Sequence, residues 1–293
     1  MQFAIIPPVR SDVTADPVWM TGFARHAEAV GFESIVVVEH AVVISRRSEP
    51  YPYSATGEFP LHDDCIIPDP LDLLAFLAAS TTTLGLATGV LVLPEHHPVQ
   101  LAKRVATIDQ LSGGRVRLCI GVGWMREELE ACGVDFATRG RRTDETIDAL
   151  RALWSPDDDR GTSFHGEFFD FDDAYSHPKP VRAGGVPIHI GGHSDAAARR
   201  AGRRGDGFQP LGLRGPELAA KVALMRRSAE QVGRDPFGLE LSLGAPLAAT
   251  TLETAEQAAE LGAHRLVVTP SQSRDLSEVR DEMSAFAERL GLV

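Results

Sequence analysis

A glutamate and a histidine, Glu39-His40, end an apolar segment that has the pattern of a strand. An imidazole exchanges protons near neutral pH, and a neighbouring carboxylate fixes its tautomer and favours its protonated form. We therefore expect His40, together with Glu39, to handle a proton in catalysis. A loop histidine that only caps backbone groups is the structural alternative.

Two glycine-rich segments follow other strand-like stretches. Gly191-Gly192-His193-Ser194 leads directly into a helix, where free backbone N–H groups favour an anion such as phosphate, although Ser194 could serve only as an N-cap. Gly121-Val122-Gly123-Trp124 would let a flat ring approach the backbone and stack against Trp124, although two glycines also make an ordinary turn. Together the two segments predict a pocket for a cofactor that has a ring and a phosphate.

Several common chemical sites are missing from the sequence. His96-His97 has no nearby residues that would complete a metal-ligand set, and Asp157-Asp158-Asp159 lacks the glycine and glutamate of a calcium loop. There is no Gly-x-Ser-x-Gly elbow, Walker loop or Rossmann fingerprint. We therefore expect no metal site.

The fold must bring the ends of several strands together if these residues share one pocket. Apolar strand-like stretches alternate with amphipathic helical ones, which is typical of a parallel α/β sheet. The predicted strands are Phe3–Ile6, Ser34–Val38, Leu84–Leu91, Val116–Gly121, Pro187–Ile190, Gly207–Pro210, Leu239–Ala245 and Arg265–Val268. The predicted helices are Pro17–Val30, Pro70–Ser80, Pro98–Leu111, Asp144–Trp154, Ser194–Gly202, Pro216–Val232, Leu252–Leu261 and Leu276–Leu290. Eight such units predict a (β/α)8 TIM barrel, in which sites lie at the carboxyl ends of the strands.

Two connections are too long to be plain linkers. Residues 41–69 follow the second predicted strand, so we expect them to cover the mouth of the barrel. Residues 155–185 include an aromatic stretch, and we expect a small excursion or hairpin beside the mouth. The remaining connections contain no linker between domains, so 1–293 is predicted to be a single domain.

Composition excludes several classes of protein. The 293 residues are 43% hydrophobic, which is too apolar for a disordered chain, and no apolar run is long enough to cross a membrane. A formal net charge of −12 without basic clusters argues against nucleic-acid binding. The first residues lack the features of a signal peptide, and the three cysteines show no disulfide or Cys-x-x-Cys pattern. We expect a cytoplasmic protein.

Motifs along nearly the whole chain resemble those of luciferase-like flavin and deazaflavin enzymes. They include 88–94 (TGVLVLP), 111–115 (LSGGR), 121–124 (GVGW) and 205–208 (GDGF). Together these motifs are most similar to the branch that depends on coenzyme F-420, an 8-hydroxy-5-deazaflavin. The resemblance implies a bacterial-luciferase-like barrel with insertions at the C-terminal face, usually present as a homodimer.

The resemblance also implies roles for matching residues. His40 matches a histidine near the reactive carbon of the ring, and Gly89-Val90 matches a non-prolyl cis peptide behind it. The predicted cofactor-binding residues are Thr88, Gly89, Val90, Gly121, Gly123, Trp124, Glu127, Gly191, Gly192 and His193. Sugar-phosphate dehydrogenases of this family have a glutamate at the position of Trp124, which argues against a sugar-phosphate substrate.

The activity implied is hydride transfer between C5 of the deazaflavin and a small organic substrate, with 41–69 and 155–185 selecting the substrate. A monooxygenase that uses FMN and needs a separate flavin reductase is the first competing hypothesis, since the chain has no nicotinamide fingerprint. A non-catalytic barrel that binds flavin or deazaflavin is the second, and an unrelated phosphosugar barrel is the third.

Overall fold

The computed structural model describes residues 1–210 and 212–292. The strands are β1 (Gln2–Ile5), β2 (Ser34–Val37), β3 (Gly85–Thr88), β4 (Leu91–Val92), β5 (Val116–Gly121), β6 (Thr162–His165), β7 (Asp170–Ala174), β8 (Ile188–Gly191), β9 (Gly207–Gln209), β10 (Glu240–Pro246) and β11 (Arg265–Thr269). The main sheet has the parallel order β3-β2-β1-β11-β10-β9-β8-β5-β4, and β3 also pairs with β5. The sheet therefore closes, with β3 and β4 sharing one of eight positions, and the predicted (β/α)8 barrel is confirmed.

Helices surround the barrel. They are α1 (Pro17–Ala29), α2 (Pro70–Ala78), α3 (Pro98–Ser112), α4 (Arg126–Ala131), α5 (Arg139–Trp154), α6 (Asp195–Arg204), α7 (Gly215–Glu230), α8 (Leu252–Glu260) and α9 (Leu276–Leu290). The starts of α1 and α2 follow local chemistry, since Asp16 and Asp69 each accept hydrogen bonds from two backbone N–H groups and a proline takes the first helical position. In the described part of the chain, no helix is long and apolar enough to cross a membrane.

One helix was missed and another begins earlier than predicted, while the other helix boundaries agree within about two residues. The short helix α4 was missed, because Glu128 and Leu129 are its only buried residues and they make no apolar period. Helix α5 begins at Arg139 rather than at Asp144. The prediction missed its first turn because that turn consists of a glycine and three arginines, which show no apolar periodicity.

The third barrel position is interrupted at the cis peptide Gly89–Val90, so the single strand predicted over 84–91 is divided into β3 and β4. The Val90 side chain lies against the backbones of β5 and β8. A Cβ atom added to Gly121 would lie 2.7 Å from Val90 Cγ2, and one added to Gly191 would lie 2.4 Å from Val90 Cγ1. Glycine is therefore required at both positions to make room for Val90.

Residues 155–185 form the expected hairpin, from β6 and β7, but no residue of the segment lines the cavity at the mouth. The segment joins the end of α5 to the start of β8, and a helix-to-strand connection belongs to the amino-terminal end of a parallel barrel. The hairpin lies along the outside, where Glu145 of α5 accepts hydrogen bonds from three backbone N–H groups at its tip. Only the tip approaches the mouth, through an ion pair between Glu167 and Arg141.

The packing of Val90 predicts the effect of adding one methyl group to the barrel. We expect Gly191→Ala to lower the free energy of unfolding by about 1 to 3 kcal/mol, because the new methyl group overlaps Val90. Urea denaturation measures this loss, and adding Val90→Ala should recover part of it, as a favourable coupling in a double-mutant cycle.

Gly244→Ala is the matched control, since Gly244 also lies in a barrel strand but an added Cβ there meets no atom within 4 Å. Equal losses in the two alanine variants would contradict this account of the packing.

Candidate active site

A cavity of about 940 Å³ opens at the carboxyl ends of the barrel strands. Its wall is formed by residues that follow β1, β2, β5, β8 and β11 and by part of 41–69. The predicted site residues that line it are His40, Gly89, Val90, Gly121, Gly123, Trp124, Gly191, Gly192 and His193. Glu39, Thr88 and Glu127 are not part of the wall, and no residue of 155–185 is.

His40 is oriented by a carboxylate other than the predicted one. Its Nδ1 lies 2.8 Å from Oε2 of Glu128, a side chain that is only 2% exposed. Because a carboxylate accepts the hydrogen bond, Nδ1 carries the hydrogen and Nε2 is left to exchange a proton. Among the described residues, Nε2 has no hydrogen-bond partner.

Glu39 makes no hydrogen bond to His40 among the described residues. Its Oε2 accepts a hydrogen bond from the backbone N–H of Val92 at 2.5 Å, and its Oε1 lies 2.9 Å from Nε2 of His96. Both of its carboxylate oxygens are therefore engaged away from the imidazole. Glu39 therefore fixes the backbone of β4 and the turn after it.

Thr88 and Glu127 also make structural contacts outside the cavity. The Thr88 hydroxyl donates to the carbonyl of Cys119 at 2.8 Å and accepts from its N–H at 3.0 Å, which joins β3 to β5. Glu127 accepts a hydrogen bond from the backbone N–H of Ser48 at 2.8 Å. Glu127 therefore holds the mouth segment 41–69 against α4.

The glycine-rich start of α6 lies on the cavity wall. The Ser194 hydroxyl accepts from the N–H of Ala197 at 3.1 Å, so Ser194 is an N-cap. Gly192 has a positive φ of 111°, which favours glycine, and Tyr53 is close enough that its hydroxyl would lie 3.7 Å from a Cβ added there. Burial raises the pKa of Tyr53 to about 12, so its phenol stays protonated and can donate a hydrogen bond to an anion.

Aromatic side chains from 41–69 form one side of the cavity with Trp124. Ring centroids of Tyr51 and Phe59 lie 5.1 and 5.4 Å from that of Trp124. His40 packs edge-on against Phe59 at 5.3 Å. The mouth segment thus supplies an aromatic, largely apolar surface next to the imidazole.

A buried carboxyl group lies behind this part of the site. Both side-chain oxygens of Glu95 are buried and have no hydrogen-bond partner among the described residues. Burial, together with the charges of Glu128 and Glu39, raises the pKa of Glu95 to about 9. Glu95 is therefore a neutral carboxylic acid at physiological pH, which explains how it is tolerated without a cation.

Sequence reasoning missed Glu128 as the partner of His40 and Tyr53 as a neighbour of Gly192. Of the adjacent pair Glu127-Glu128, only Glu127 was given a role, as a cofactor-binding residue. The sequence signal for the contact between His40 and Glu128 was the presence of two acidic residues shortly after a glycine motif at a strand end. The second contact depends on how a segment without helices or strands folds over the mouth, which no local pattern reports.

The chain belongs to the luciferase-like monooxygenase family, whose sequence profile matches residues 1–290. An uncharacterized protein of Mycobacterium tuberculosis is 35% identical over 219 residues, 74% of each chain. An FMNH(2)-dependent dimethylsulfone monooxygenase of Pseudomonas putida is 35% identical over 160 residues, 54% of this chain and 43% of that one. A solved F420-dependent secondary alcohol dehydrogenase matches the fold with a TM-score of 0.78 at 20% identity, covering 100% of this chain and 98% of that one.

The family places the chain among flavin- or deazaflavin-dependent oxidoreductases. Its similar proteins include both FMN-dependent and F420-dependent enzymes, so family membership leaves the choice between the two coenzymes open.

The raised pKa of Glu95 predicts a pH-dependent stability. The folded protein keeps a proton on Glu95 that the unfolded chain releases above its ordinary pKa of 4.5, so this group lowers stability as pH rises from about 4.5 to about 9. Glu95→Gln cannot lose that proton. Its stability relative to the wild type should therefore increase with pH over that window, by at most about 1.4 kcal/mol per pH unit.

Urea denaturation at several pH values measures the difference. Glu256→Gln, at an exposed position on α8, is the control and should follow the wild type at every pH. A constant difference between Glu95→Gln and the wild type across the window would show that Glu95 is ionised in the folded protein.

Proposed function

We propose that the chain is an oxidoreductase that transfers a hydride between a deazaflavin, coenzyme F-420, and a small organic substrate bound in the mouth cavity. The observation that carries the proposal is the position of His40, which lines the cavity, is oriented by a buried carboxylate and packs against the aromatic wall at Phe59. The family membership and the motif resemblance support the same class of reaction.

The cavity suits such a coenzyme. Its volume of about 940 Å³ lies within the range of ligand pockets. Its wall combines an apolar floor at Val90, a helix start at Gly192–Ser194 and several arginines, so a ring and an anionic chain would both find suitable surfaces. The spaces beside Gly121 and Gly191 are filled by Val90, so the floor available to a ring is the Val90 side chain rather than the glycine backbone.

When bound, the deazaflavin supplies a ring carbon, C5, that gives or takes a hydride. The protein positions the substrate and excludes water through Tyr51, Phe59 and Trp124. Nε2 of His40 gives or takes the proton that accompanies the hydride. The hydrogen on Nδ1 stays bonded to the Glu128 carboxylate during this exchange.

A second candidate function is FMN-dependent monooxygenation with a separate flavin reductase. The similarity to the dimethylsulfone monooxygenase favours it. The same cavity would hold FMN, since the ring and the phosphate make the same demands on the wall. A non-catalytic coenzyme-binding barrel is the third candidate.

Coenzyme titration tests the choice. Purified protein without coenzyme should bind the deazaflavin more tightly than FMN by isothermal titration calorimetry. Gly192→Asp should weaken the binding of both by about tenfold or more, because it places a carboxylate at the helix start and a side chain at a positive φ.

Tighter binding of FMN than of the deazaflavin would favour the monooxygenase instead. An unchanged coenzyme affinity in Gly192→Asp would show that this loop does not bind the phosphate.

The role of His40 is tested by rapid-mixing kinetics. Protein loaded with reduced deazaflavin should be reoxidised by at least one member of a panel of enones, imines and quinones. His40→Ala should slow that step by about 100-fold or more while changing coenzyme affinity little, because a positioned acid or base contributes about 10²- to 10⁴-fold. Glu128→Gln should give a smaller loss and a shifted pH profile, since it changes the group bonded to Nδ1.

His62→Ala, at an exposed position in the same segment, is the control and should react like the wild type. An unaltered rate in His40→Ala would leave His40 with a structural role only, and no reoxidation across the panel would favour the non-catalytic barrel.

A further inference from the structure

The charge of the cavity wall is opposite to that of the protein. The chain carries a net charge of −12. The wall, among the described residues, contains four arginines and one acidic residue, Glu49; the arginines are Arg10, Arg139, Arg141 and Arg200. A concave surface lined by one sign of charge concentrates ligands of the other sign.

The four wall arginines differ in how their charge is balanced and in how they are held. Among the described residues, Arg10 has no carboxylate within ion-pair distance, but it is exposed and its side chain makes no hydrogen bond. Arg200 lies 2.6 Å from the carboxylate of Asp144, and Arg141 pairs with Glu167. Arg139 has no carboxylate within ion-pair distance in the part of the chain that the structure describes. Glu49, the one acidic residue on the described part of the wall, pairs with Arg126 at 3.2 Å instead.

The Arg139 guanidinium is held in place without being neutralised. It stacks on the ring of Phe136 at 3.7 Å, and Nη1 donates to the Phe136 carbonyl at 2.8 Å. Its Nε is buried and has no hydrogen-bond partner among the described residues. Burial and the nearby charge of Arg126 lower its pKa, which marks a cation in a site that disfavours positive charge.

The charge at this position comes from the guanidinium rather than from the helix. A 3-10 turn over Phe136–Thr138 leads directly into α5, its N-cap Asp135 accepts a hydrogen bond from the N–H of Ala137, and the N–H of Arg139 is bonded to the Phe136 carbonyl. The Arg139 side chain is therefore the feature here that favours an anion.

The side of the cavity that holds Arg139 indicates which molecule brings the anion. The Phe136 ring on which Arg139 stacks is also covered by Arg126 at 4.2 Å, and Arg126 pairs with Glu49 of the mouth segment at 3.2 Å. Glu49 is followed along the chain by Tyr51, which packs on Trp124 in the aromatic wall. Arg139 thus borders the surface proposed to receive the substrate.

We propose that Arg139 is a substrate-binding residue, and that the substrate is an organic acid whose apolar body packs on Tyr51, Phe59 and Trp124 while its carboxylate or phosphate binds Arg139. Charge-assisted hydrogen bonds to a planar guanidinium are strong and directional, so they would select an acid over a neutral analogue. The inference rests on the proposed function in one respect, that this cavity receives the substrate.

Matched neutral and anionic probes test the proposal. Calorimetric titrations of the protein, with and without FMN, use naphthoate and naphthamide, which differ in the charge of one substituent. We expect the wild type to bind naphthoate about tenfold or more tightly than naphthamide. Arg139→Met should bring the two affinities within about twofold, and Arg139→Lys should keep part of the preference.

Arg142→Met is the matched control. Arg142 lies in the same turn of α5, also packs on an aromatic ring, at 4.7 Å from Phe169, and donates to the Pro94 carbonyl, but it is not part of the cavity wall. It should keep the wild-type preference.

Titrations of FMN and riboflavin identify the source of the anion. If Arg139→Met lowers the affinity for FMN relative to riboflavin and leaves the naphthoate preference intact, the substrate assignment is overturned and the anion belongs to the coenzyme. Equal affinities for naphthoate and naphthamide in the wild type also overturn the proposal. Failure of the protein to bind either coenzyme would overturn the proposed function instead. The naphthoate and naphthamide titrations without FMN test the role of Arg139 independently of that outcome.

Discussion

The candidate site depends on the packing of one side chain, Val90, between two strands of the barrel. A closed parallel barrel is filled with side chains, so a ligand cavity exists only where that filling ends. Val90 occupies the space left by Gly121 and Gly191, and its upper surface becomes the floor of the cavity. The glycines that resemble a cofactor cradle are therefore required first by the packing of the protein itself.

The carboxylates of Glu127 and Glu128 connect that floor to the mouth. Both belong to the first turn of α4 and both bind 41–69, through the N–H groups of Ser48 and Val42. Glu128 also orients His40. A single short helix thus determines both where the mouth segment lies and which nitrogen of the imidazole is free, so the geometry of the proton-handling group and of the substrate surface are linked.

The sequence was sufficient to predict the barrel and most of the cavity wall. Strand-end position places His40, Gly121 and Gly191 at one face of any (β/α)8 fold, whatever the details of the loops. The sequence pattern could not predict side-chain contacts between segments that are far apart in the chain. His40 and Glu128 are separated by 88 positions. Glu39, the neighbour that looked like the partner, binds the N–H of Val92 and the ring of His96 instead.

The contrast between an acidic surface and a basic cavity has a physical consequence for ligand selection. The negative charge of the whole protein repels anions at long range, but that repulsion is screened beyond about 8 Å at physiological ionic strength. Inside the cavity the nearby arginines dominate, and two of them, Arg141 and Arg200, are already balanced by carboxylates. A ligand gains most from a guanidinium that lacks such a partner, so the balance of charges in the wall, rather than their number, selects where an anion binds. Of the two wall arginines that lack a carboxylate partner among the described residues, Arg10 is exposed and Arg139 is held against Phe136, so Arg139 offers the more ordered site for an anion.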